Sequence, residues 1–217
     1  MSTDDLASLG EGELVTLALR EPLEPRGEGR AFAYFIEEGI ASVVADVEGR
    51  LAVELGLIGR EGMADLALIY GDDTSPFQTY MQVEGSAYRF SAARLRTALA
   101  ERPGLRDLLL HYARAFSIQV ATTALANGRS KLEERLCRWL LMVGDRVGPR
   151  FAITHEFIAL MLAVRRSGVT LALQILEGNG LIRAARGNIT IVDREGLVAT
   201  ANGAYGFAER EYQRLLG

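Results

Sequence analysis

The spacing of apolar residues changes at Pro103-Gly104, and this change divides the chain into two unlike parts. Before this point, short apolar runs are separated by Gly-containing breaks, a pattern typical of an antiparallel barrel or sandwich. After it, apolar residues recur at three- and four-residue steps, which places them on one face of a helix. Because 217 residues are enough for two modest hydrophobic cores, we expect a β-rich region followed by a helical region.

The apolar runs before Pro103 predict strands, and the glycines between them predict turns. Residues 31–36 and 40–47 flank Glu37-Glu38-Gly39, which predicts a hairpin with a positive φ angle at Gly39. Residues 4–19 predict a short helix that leads into the sheet. The remaining predicted strands are residues 51–58, 80–83 and 87–90, separated by breaks at residues 48–50 and 84–85.

A long amphipathic helix of about six turns is predicted after this point, ending at Asn127-Gly128. Ser130 and Glu133 then have the spacing of a capping box, which predicts the start of a second helix. A long apolar helix between two regions is typical of a dimer seam, although a helix that only covers its own barrel has the same pattern. The apolar positions are Leu105, Leu108, Leu109, Tyr112, Phe116, Val120 and Ala124 in the long helix, and Leu132, Leu136, Trp139, Leu140 and Val143 in the second.

Two short, closely spaced helices are predicted in the C-terminal part. Thr154 is a residue type favoured at helix starts, and it predicts a two-turn helix over residues 155–162. Residues 163–165 predict a tight turn, and a second helix follows over residues 166–177, before a Gly-Asn-Gly stop. Its apolar stripe is Val169, Ala172, Leu173 and Leu176, which leaves Arg166, Ser167, Thr170 and Gln174 on the opposite, exposed side.

The exposed side of the second helix carries the side chains that a major-groove reader needs. Arg166 can pair with guanine O6 and N7, and Gln174 can pair in the same way with adenine. The hydroxyls of Ser167 and Thr170 suit phosphates or base edges, and Arg165 in the turn is a further candidate for DNA contact. Helix pairs of this kind also occur as plain core elements, so the spacing alone leaves both interpretations open.

The segment after this helix predicts a β-hairpin wing over residues 181–192, with a turn at Arg186-Gly187-Asn188. Arg183 and Arg186 are then available for phosphates.

The charge distribution agrees with a nucleic-acid partner. Residues 1–104 hold 9 Arg and 18 Asp and Glu, a net charge of −9, whereas residues 105–217 hold 15 Lys and Arg and 10 Asp and Glu, a net charge of +5. A polyanion would therefore prefer the C-terminal part.

Three segments of the C-terminal part resemble one known family. They are Leu132-Glu-Glu-Arg-Leu-Cys-Arg-Trp-Leu140, Ile153-Thr-His-Glu-Phe-Ile-Ala-Leu-Met-Leu-Ala-Val-Arg-Arg-Ser-Gly-Val-Thr170 and Leu176-Glu-Gly-Asn-Gly-Leu-Ile182. These segments resemble the DNA-binding domain of the Crp/Fnr regulators, the cyclic-AMP receptor family. The resemblance implies an α+β fold: an N-terminal cyclic-nucleotide-binding-like antiparallel β-barrel (jelly roll) as sensor over residues 1–104, a long dimerisation helix over 105–127, and a C-terminal winged helix-turn-helix over 128–217.

The resemblance also implies partners. They are a second copy of the chain, a near-palindromic operator in double-stranded DNA with half-sites ~34 Å apart, and RNA polymerase. By position, Arg166 matches the family's base-reading arginine, and Thr154 matches a residue that contacts the DNA backbone. Two positions depart from the family: Ser167 stands where many members have Glu, and Leu171 stands at a further basic position. We therefore expect an operator that differs from the familiar one.

The sequence does not identify an effector. Cyclic-nucleotide members hold the phosphate with an Arg followed by Ser or Thr, whereas the comparable residues 62–80 contain three Asp and no Arg or Lys. A phosphate there would be repelled, so cyclic AMP is not expected, and the family's iron–sulfur cysteines are absent. Haem ligation by His111 is an alternative, but this residue lies in the predicted long helix, where a solvated or interface role is favoured. An unknown small molecule and a purely structural role both stay open, and we expect no cofactor.

Other classes of protein are disfavoured. The single cysteine, Cys137, lies in an apolar stripe and is expected to be a buried, inert thiol, and two histidines do not suggest a metal site. The sequence contains no nucleophile paired with a base and no phosphate-binding loop, so it does not predict an enzyme. The Asp72-Asp73 pair indicates an exposed turn. No apolar run approaches the ~20 residues of a membrane span, and the first residues lack a secretory pattern, so we expect a cytoplasmic protein. The remaining alternative is a protein-interaction adaptor that uses a winged-helix surface without sequence-specific DNA binding.

Overall fold

The computed structural model describes residues 9–24, 27–46 and 52–217. Within these ranges a β-sheet region precedes a helical region that ends in a small second sheet and two further helices. The strands are β1 (Glu13–Leu17), β2 (Pro22–Glu24), β3 (Phe32–Ala45), β4 (Val53–Ile58), β5 (Met63–Ala64), β6 (Gln78–Ser91), β7 (Arg150–Ala152), β8 (Ile182–Ala185) and β9 (Asn188–Ile191), and the helices are α1 (Leu66–Tyr70), α2 (Ala92–Glu101), α3 (Pro103–Arg129), α4 (Leu132–Val147), α5 (His155–Met161), α6 (Arg166–Gly178), α7 (Arg194–Thr200) and α8 (Phe207–Leu216).

Two 14-residue strands, β3 and β6, form the centre of the N-terminal sheet. They pair antiparallel along most of their length, while β1 and β2 pair with β6, and β4 and β5 pair with β3. Among the described residues no pairing joins β1 to β4, so the predicted barrel is a sheet that hydrogen bonds do not close. The predicted fold class is otherwise confirmed: an antiparallel β region, a long helix and a winged helix pair follow one another along the chain.

The predicted hairpin at Gly39 is wrong, because Gly39 lies in the middle of one continuous strand. Gly39 has the predicted positive φ angle of 85°, but β3 continues through it, and its register against β6 shifts between Ile36 and Ala41. Gly85 lies opposite, within β6, and a Cβ atom there would collide with the backbone of Glu38. The two glycines therefore permit a β-bulge where two backbones approach closely, and they do not form turns.

The predicted N-terminal helix is also wrong where the structure describes it. Residues 13–17 form the edge strand β1, which pairs with residues 85–89 of β6. Leu14 and Leu17 have helical spacing, but only Leu17 is buried, and Leu14 is 60% exposed. The helical spacing of these two leucines therefore does not correspond to one buried face. Residues 4–8, and the break predicted at residues 48–50, lie outside the described part of the chain.

The long helix α3 spans Pro103–Arg129, so it begins two residues before and ends two residues after the predicted range 105–127. The next helix starts one residue later than predicted, because the backbone N–H of Lys131 donates to the carboxylate of Glu134 at 2.9 Å. Of the predicted apolar positions, Leu105, Leu109, Tyr112, Phe116, Leu136, Trp139, Leu140 and Val143 are buried, Leu108, Val120 and Leu132 are half-buried, and Ala124 is exposed.

The largest apolar cluster crosses from the sheet to the C-terminal helices, so the boundary between the two expected cores is itself packed. Ile40 and Leu57 of the sheet belong to the same cluster as the buried residues of α4, α5 and α6. At this junction the Trp139 indole N–H donates to one oxygen of the Glu54 carboxyl group (2.9 Å), and the Ser42 hydroxyl donates to the other (2.7 Å). Burial raises the pKa of Glu54 to about 7, although both donors and the nearby Arg138 and Arg146 oppose this shift.

Cys137 lies in the same cluster and is buried, as predicted. Burial raises the pKa of its thiol to about 12. The thiol therefore stays protonated at neutral pH and behaves as a small apolar side chain.

Candidate nucleic-acid interface

Helices α5 and α6 form the predicted helix-turn-helix. The Thr154 hydroxyl accepts a hydrogen bond from the backbone N–H of Phe157 at 3.2 Å, which fixes the start of α5. The chain then reverses through Ala163, whose φ angle is +50°, and α6 begins at Arg166. The two helices meet at 108°, within the range of helix-turn-helix pairs. No single helix of the described ranges is long and apolar enough to cross a membrane, and this bent pair meets that requirement only by combined length and composition.

Helix α6 is anchored by the predicted apolar stripe. Val169, Ala172, Leu173 and Leu176 are each at most 2% exposed, and they belong to the cluster that includes α4 and α5. Burying these four side chains on one side of the helix holds α6 by its inner face. Its outer face is therefore presented to solvent as a rigid surface.

The outer face carries most of the predicted DNA-contacting residues. Arg165, Arg166, Ser167 and Gln174 are exposed. Thr170 is half-buried instead, because it faces the first turn of α5. Its hydroxyl donates to the carbonyl oxygen of Arg166 at 3.2 Å and lies 3.0 Å from Nδ1 of His155. Thr170 thus braces the start of α6 against α5, a contact that the spacing within one helix could not indicate.

Arg166 has a partner that sequence reasoning missed. Its Nε lies 2.7 Å from Oε1 of Glu156 in the first turn of α5, and both side chains are more than 60% exposed. An exposed ion pair of this kind contributes at most about 1 kcal/mol and exchanges readily. Glu156 therefore orients the guanidinium in the free protein, and the guanidinium can still exchange this carboxylate for another partner. No sequence signal identifies this contact, because it depends on how the turn brings two separate helix starts together.

The predicted wing is confirmed as a three-stranded antiparallel sheet. Strands β8 and β9 are joined by Arg186 and Gly187, whose φ angles of +49° and +75° are those of a tight two-residue hairpin turn. Strand β7 pairs with the other edge of β9. Arg183 and Arg186 are both exposed, as predicted for side chains that meet phosphates.

The wing is fixed to the C-terminal part of α6. The carboxylate of Glu177 accepts a hydrogen bond from the backbone N–H of Ala184 at 2.9 Å. A cavity of about 290 Å³ lies between the two elements, and its lining includes His155, Gln174 and Arg186. The structure therefore brings the polar face of α6 next to Arg186 of the wing.

A second cavity, of about 550 Å³, lies between the N-terminal sheet, α1 and α3. Its lining is mainly apolar and aromatic, with Asp65 and Asp72 among the polar groups, and no Arg or Lys is found among the described residues that line it. Asp65 is buried and forms an ion pair with Arg30, a residue outside the segment 62–80 in which the sequence shows no basic side chain. Asp72 is exposed, as predicted for this turn.

Comparisons with known proteins locate the similarity along the chain. The family model of the Crp-like helix-turn-helix domain matches residues 134–200. The transcriptional regulator LdrP of Thermus thermophilus is 26% identical over 204 residues, which cover 86% of this chain and 96% of that protein.

Solved structures resemble the fold over nearly the whole chain. FixK2 from Bradyrhizobium japonicum has a TM-score of 0.76 at 14% identity and covers 88% of this chain and 97% of its own. A regulator of the crp/fnr family from Eubacterium rectale has a TM-score of 0.72 at 17% identity and covers 94% of this chain and 96% of its own. At these identities the likeness concerns the fold.

Proposed function

We propose that the chain, whose residues 134–200 match the Crp-like helix-turn-helix domain, is a transcription regulator of the Crp/Fnr type that binds a near-palindromic operator as a homodimer, with α6 in the major groove. One observation supports this most strongly. Helix α6 buries a complete apolar stripe against α4 and α5, while it turns arginine, serine and glutamine side chains outward beside an arginine-bearing wing.

The proposed contacts divide into two groups. Arg166, Ser167 and Gln174 read base edges, because their exposed side chains lie along the face of α6 that enters the groove. Thr154 and Arg165 contact the backbone near the start of each helix, and Arg183 and Arg186 of the wing contact phosphates. Thr170 acts at the same surface through its bond to Arg166, which positions the first turn of α6.

Most of the predicted apolar stripe of α3 is buried within the single chain, so the proposed dimer seam is the outer face of this helix instead. Seven positions on this helix follow one another at three- and four-residue steps and are exposed in the single chain, so they form one face that the fold leaves uncovered. The proposed division into a sensor (1–104), a dimerisation helix (105–127) and a DNA-binding domain (128–217) places this seam between the other two. The seven positions are Asp107, Leu110, Arg114, Ser117, Ala121, Ala124 and Gly128.

The cavity beside α3 is the proposed place for an effector other than cyclic AMP. A phosphate would meet Asp72 and the Asp65–Arg30 pair there, with no free basic group supplied by the described lining residues. RNA polymerase is the proposed further partner, and the cytoplasm is the proposed location, because a transcription regulator acts where the chromosome is.

Selection of bound sites from random duplex DNA tests this function. The full chain, with and without a small-molecule extract of cells, is expected to enrich one near-palindromic sequence with half-sites ~34 Å apart. Binding to that sequence is expected to weaken steeply as salt rises, because phosphate contacts release counterions. An adaptor would give no enriched sequence, and that result would exclude the proposed function.

A further inference from the structure

Leu171 is a large apolar side chain in the middle of the outer face of α6, and it is 59% exposed. Ser167 lies one helical turn before it and Gln174 one turn after it, so the three side chains form a row along the helix. This row points away from the buried stripe centred on Val169 and Leu176. Leu171 therefore contributes nothing to the core that holds the helix.

A leucine at this position needs an explanation outside the fold. Single exposed apolar residues are common on protein surfaces, but here the neighbour Ile175 is also 41% exposed, which makes a small apolar patch within a polar face. The patch lies on the same helix as Arg166, and Arg186 of the wing lies beside that helix. The positive charge of these arginines favours a polyanion as the partner. An apolar protein partner would leave the arginines without counterions.

We infer that Leu171 packs against the C5-methyl group of a thymine in each half-site and selects for that base. This inference rests on the proposed function, since it requires α6 in the major groove. The thymine methyl is the one apolar group that a base edge presents there, and a leucine, having no polar side-chain atom, can recognise only that group. Ser167 and Gln174 then supply the hydrogen bonds on either side of an apolar contact.

Replacing thymine by deoxyuridine tests this contact directly. Deoxyuridine pairs with adenine in the same way but lacks the C5-methyl group. The operator is first selected from random DNA, and each thymine of a half-site is then replaced singly. Fluorescence anisotropy of the full chain is expected to show one thymine per half-site at which the replacement weakens binding about fourfold, as follows from ~0.8 kcal/mol per buried methyl-sized group.

Two variants identify the side chain that senses the methyl group. Leu171→Ala is expected to bind the thymine and deoxyuridine operators equally well, because the shortened side chain no longer reaches the methyl group. Leu160→Ala is the matched control, since it removes a leucine that is 43% exposed on α5, outside this patch, and it is expected to keep the fourfold ratio. Both positions are exposed, so neither change is expected to prevent folding.

Three outcomes overturn the inference. If the selected half-site contains no thymine, or if every replacement is tolerated while binding stays sequence-specific, Leu171 does not read a methyl group and the proposed function stands. If the ratio persists in Leu171→Ala, another side chain is responsible. If the chain shows no sequence preference at all, both the inference and the proposed function fail.

Discussion

In the proposed complex with DNA, Arg166 is the residue on which base reading depends most. In the free protein its guanidinium is oriented by Glu156 from the neighbouring helix, and the pair is exposed, so the exchange of this carboxylate for a guanine costs little. A guanidinium pairs with guanine O6 and N7 in a bidentate manner, which a single ammonium group cannot reproduce.

We therefore expect Arg166→Ala to weaken operator binding by about 1–3 kcal/mol and to remove the preference at one base pair of each half-site. Arg166→Lys is the control. It keeps the positive charge but loses the planar guanidinium, so we expect it to lose more of the base preference than of the operator affinity. Competition against operators with single base substitutions measures both quantities. An unchanged preference in Arg166→Ala would mean that this side chain does not face the bases.

Residue-level prediction succeeded where one helical period decides the outcome. The buried stripe of α6 and the exposure of Arg166, Ser167 and Gln174 follow from spacing alone. It did not find Glu156, or the half-buried position of Thr170, because these contacts cross the turn between two helices. The sequence contains no local signal for such contacts.

At the scale of elements, the junction between β4 and α4 holds a buried acid. Glu54 accepts hydrogen bonds from Trp139 and Ser42, and its pKa is raised to about 7 from 4.5 because burial disfavours the charged form. The folded state therefore binds this proton more tightly than the unfolded state does. The resulting stabilisation is fully present below pH about 4.5 and is lost as the pH rises through about 7.

Glu54→Gln is expected to remove this dependence, since an uncharged amide can accept from Trp139 through its oxygen and donate to the Ser42 hydroxyl through its NH2 group. Relative to the wild type, the variant should gain up to about 3 kcal/mol of unfolding free energy between pH 4.5 and 7.5, because one pKa unit corresponds to about 1.4 kcal/mol. Urea titrations of both proteins at several pH values measure the difference. If the unfolding free energies of the two proteins change with pH in parallel, the pKa of Glu54 is not raised.

The bulge between β3 and β6 explains why strands were harder to predict than helices. The starts of the four helices predicted after Pro103 agree with the structure to within about two residues, but a glycine inside an apolar run is compatible with a turn or with a bulge. The sequence pattern predicts turns at Gly39 and Gly85, whereas the structure places them in two long paired strands. Only the pairing of distant segments distinguishes the two cases.

Gly85→Ala is expected to destabilise the protein by about 1–3 kcal/mol, because the added Cβ atom would overlap the backbone of Glu38. Gly104→Ala is the matched control: it lies in the first turn of α3 with open space around it, and it should be neutral or stabilising. Denaturant midpoints compare the two variants. Equal midpoints would contradict the close approach of β3 and β6.

For the whole molecule, the charge asymmetry and the outer face of α3 both concern assembly. The acidic N-terminal part repels DNA while the basic C-terminal part attracts it, so a dimer joined through α3 would present two basic faces to one duplex. The overall order of β region, long helix and winged helix was predictable from the change in periodicity. The packed junction between them was not, since Ile40 and Trp139 lie 99 residues apart in the sequence.

Ala121→Glu tests the seam, because it places a charge at the centre of the proposed interface while the position is exposed in the single chain. We expect the wild type to sediment as a dimer and the variant as a monomer with the operator affinity of one half-site. Asn127→Glu adds the same charge to α3 away from the seven seam positions and should stay dimeric. If both variants stay dimeric, this face of α3 is not the dimer seam.

The affinity ratio between the selected operator and a scrambled duplex of equal length and composition tests the central claim most directly. Measured for the full chain near physiological salt, this ratio is expected to reach at least about 10³, as for sequence-specific regulators. A ratio close to one would mean that α6 does not read bases, and it would contradict the account.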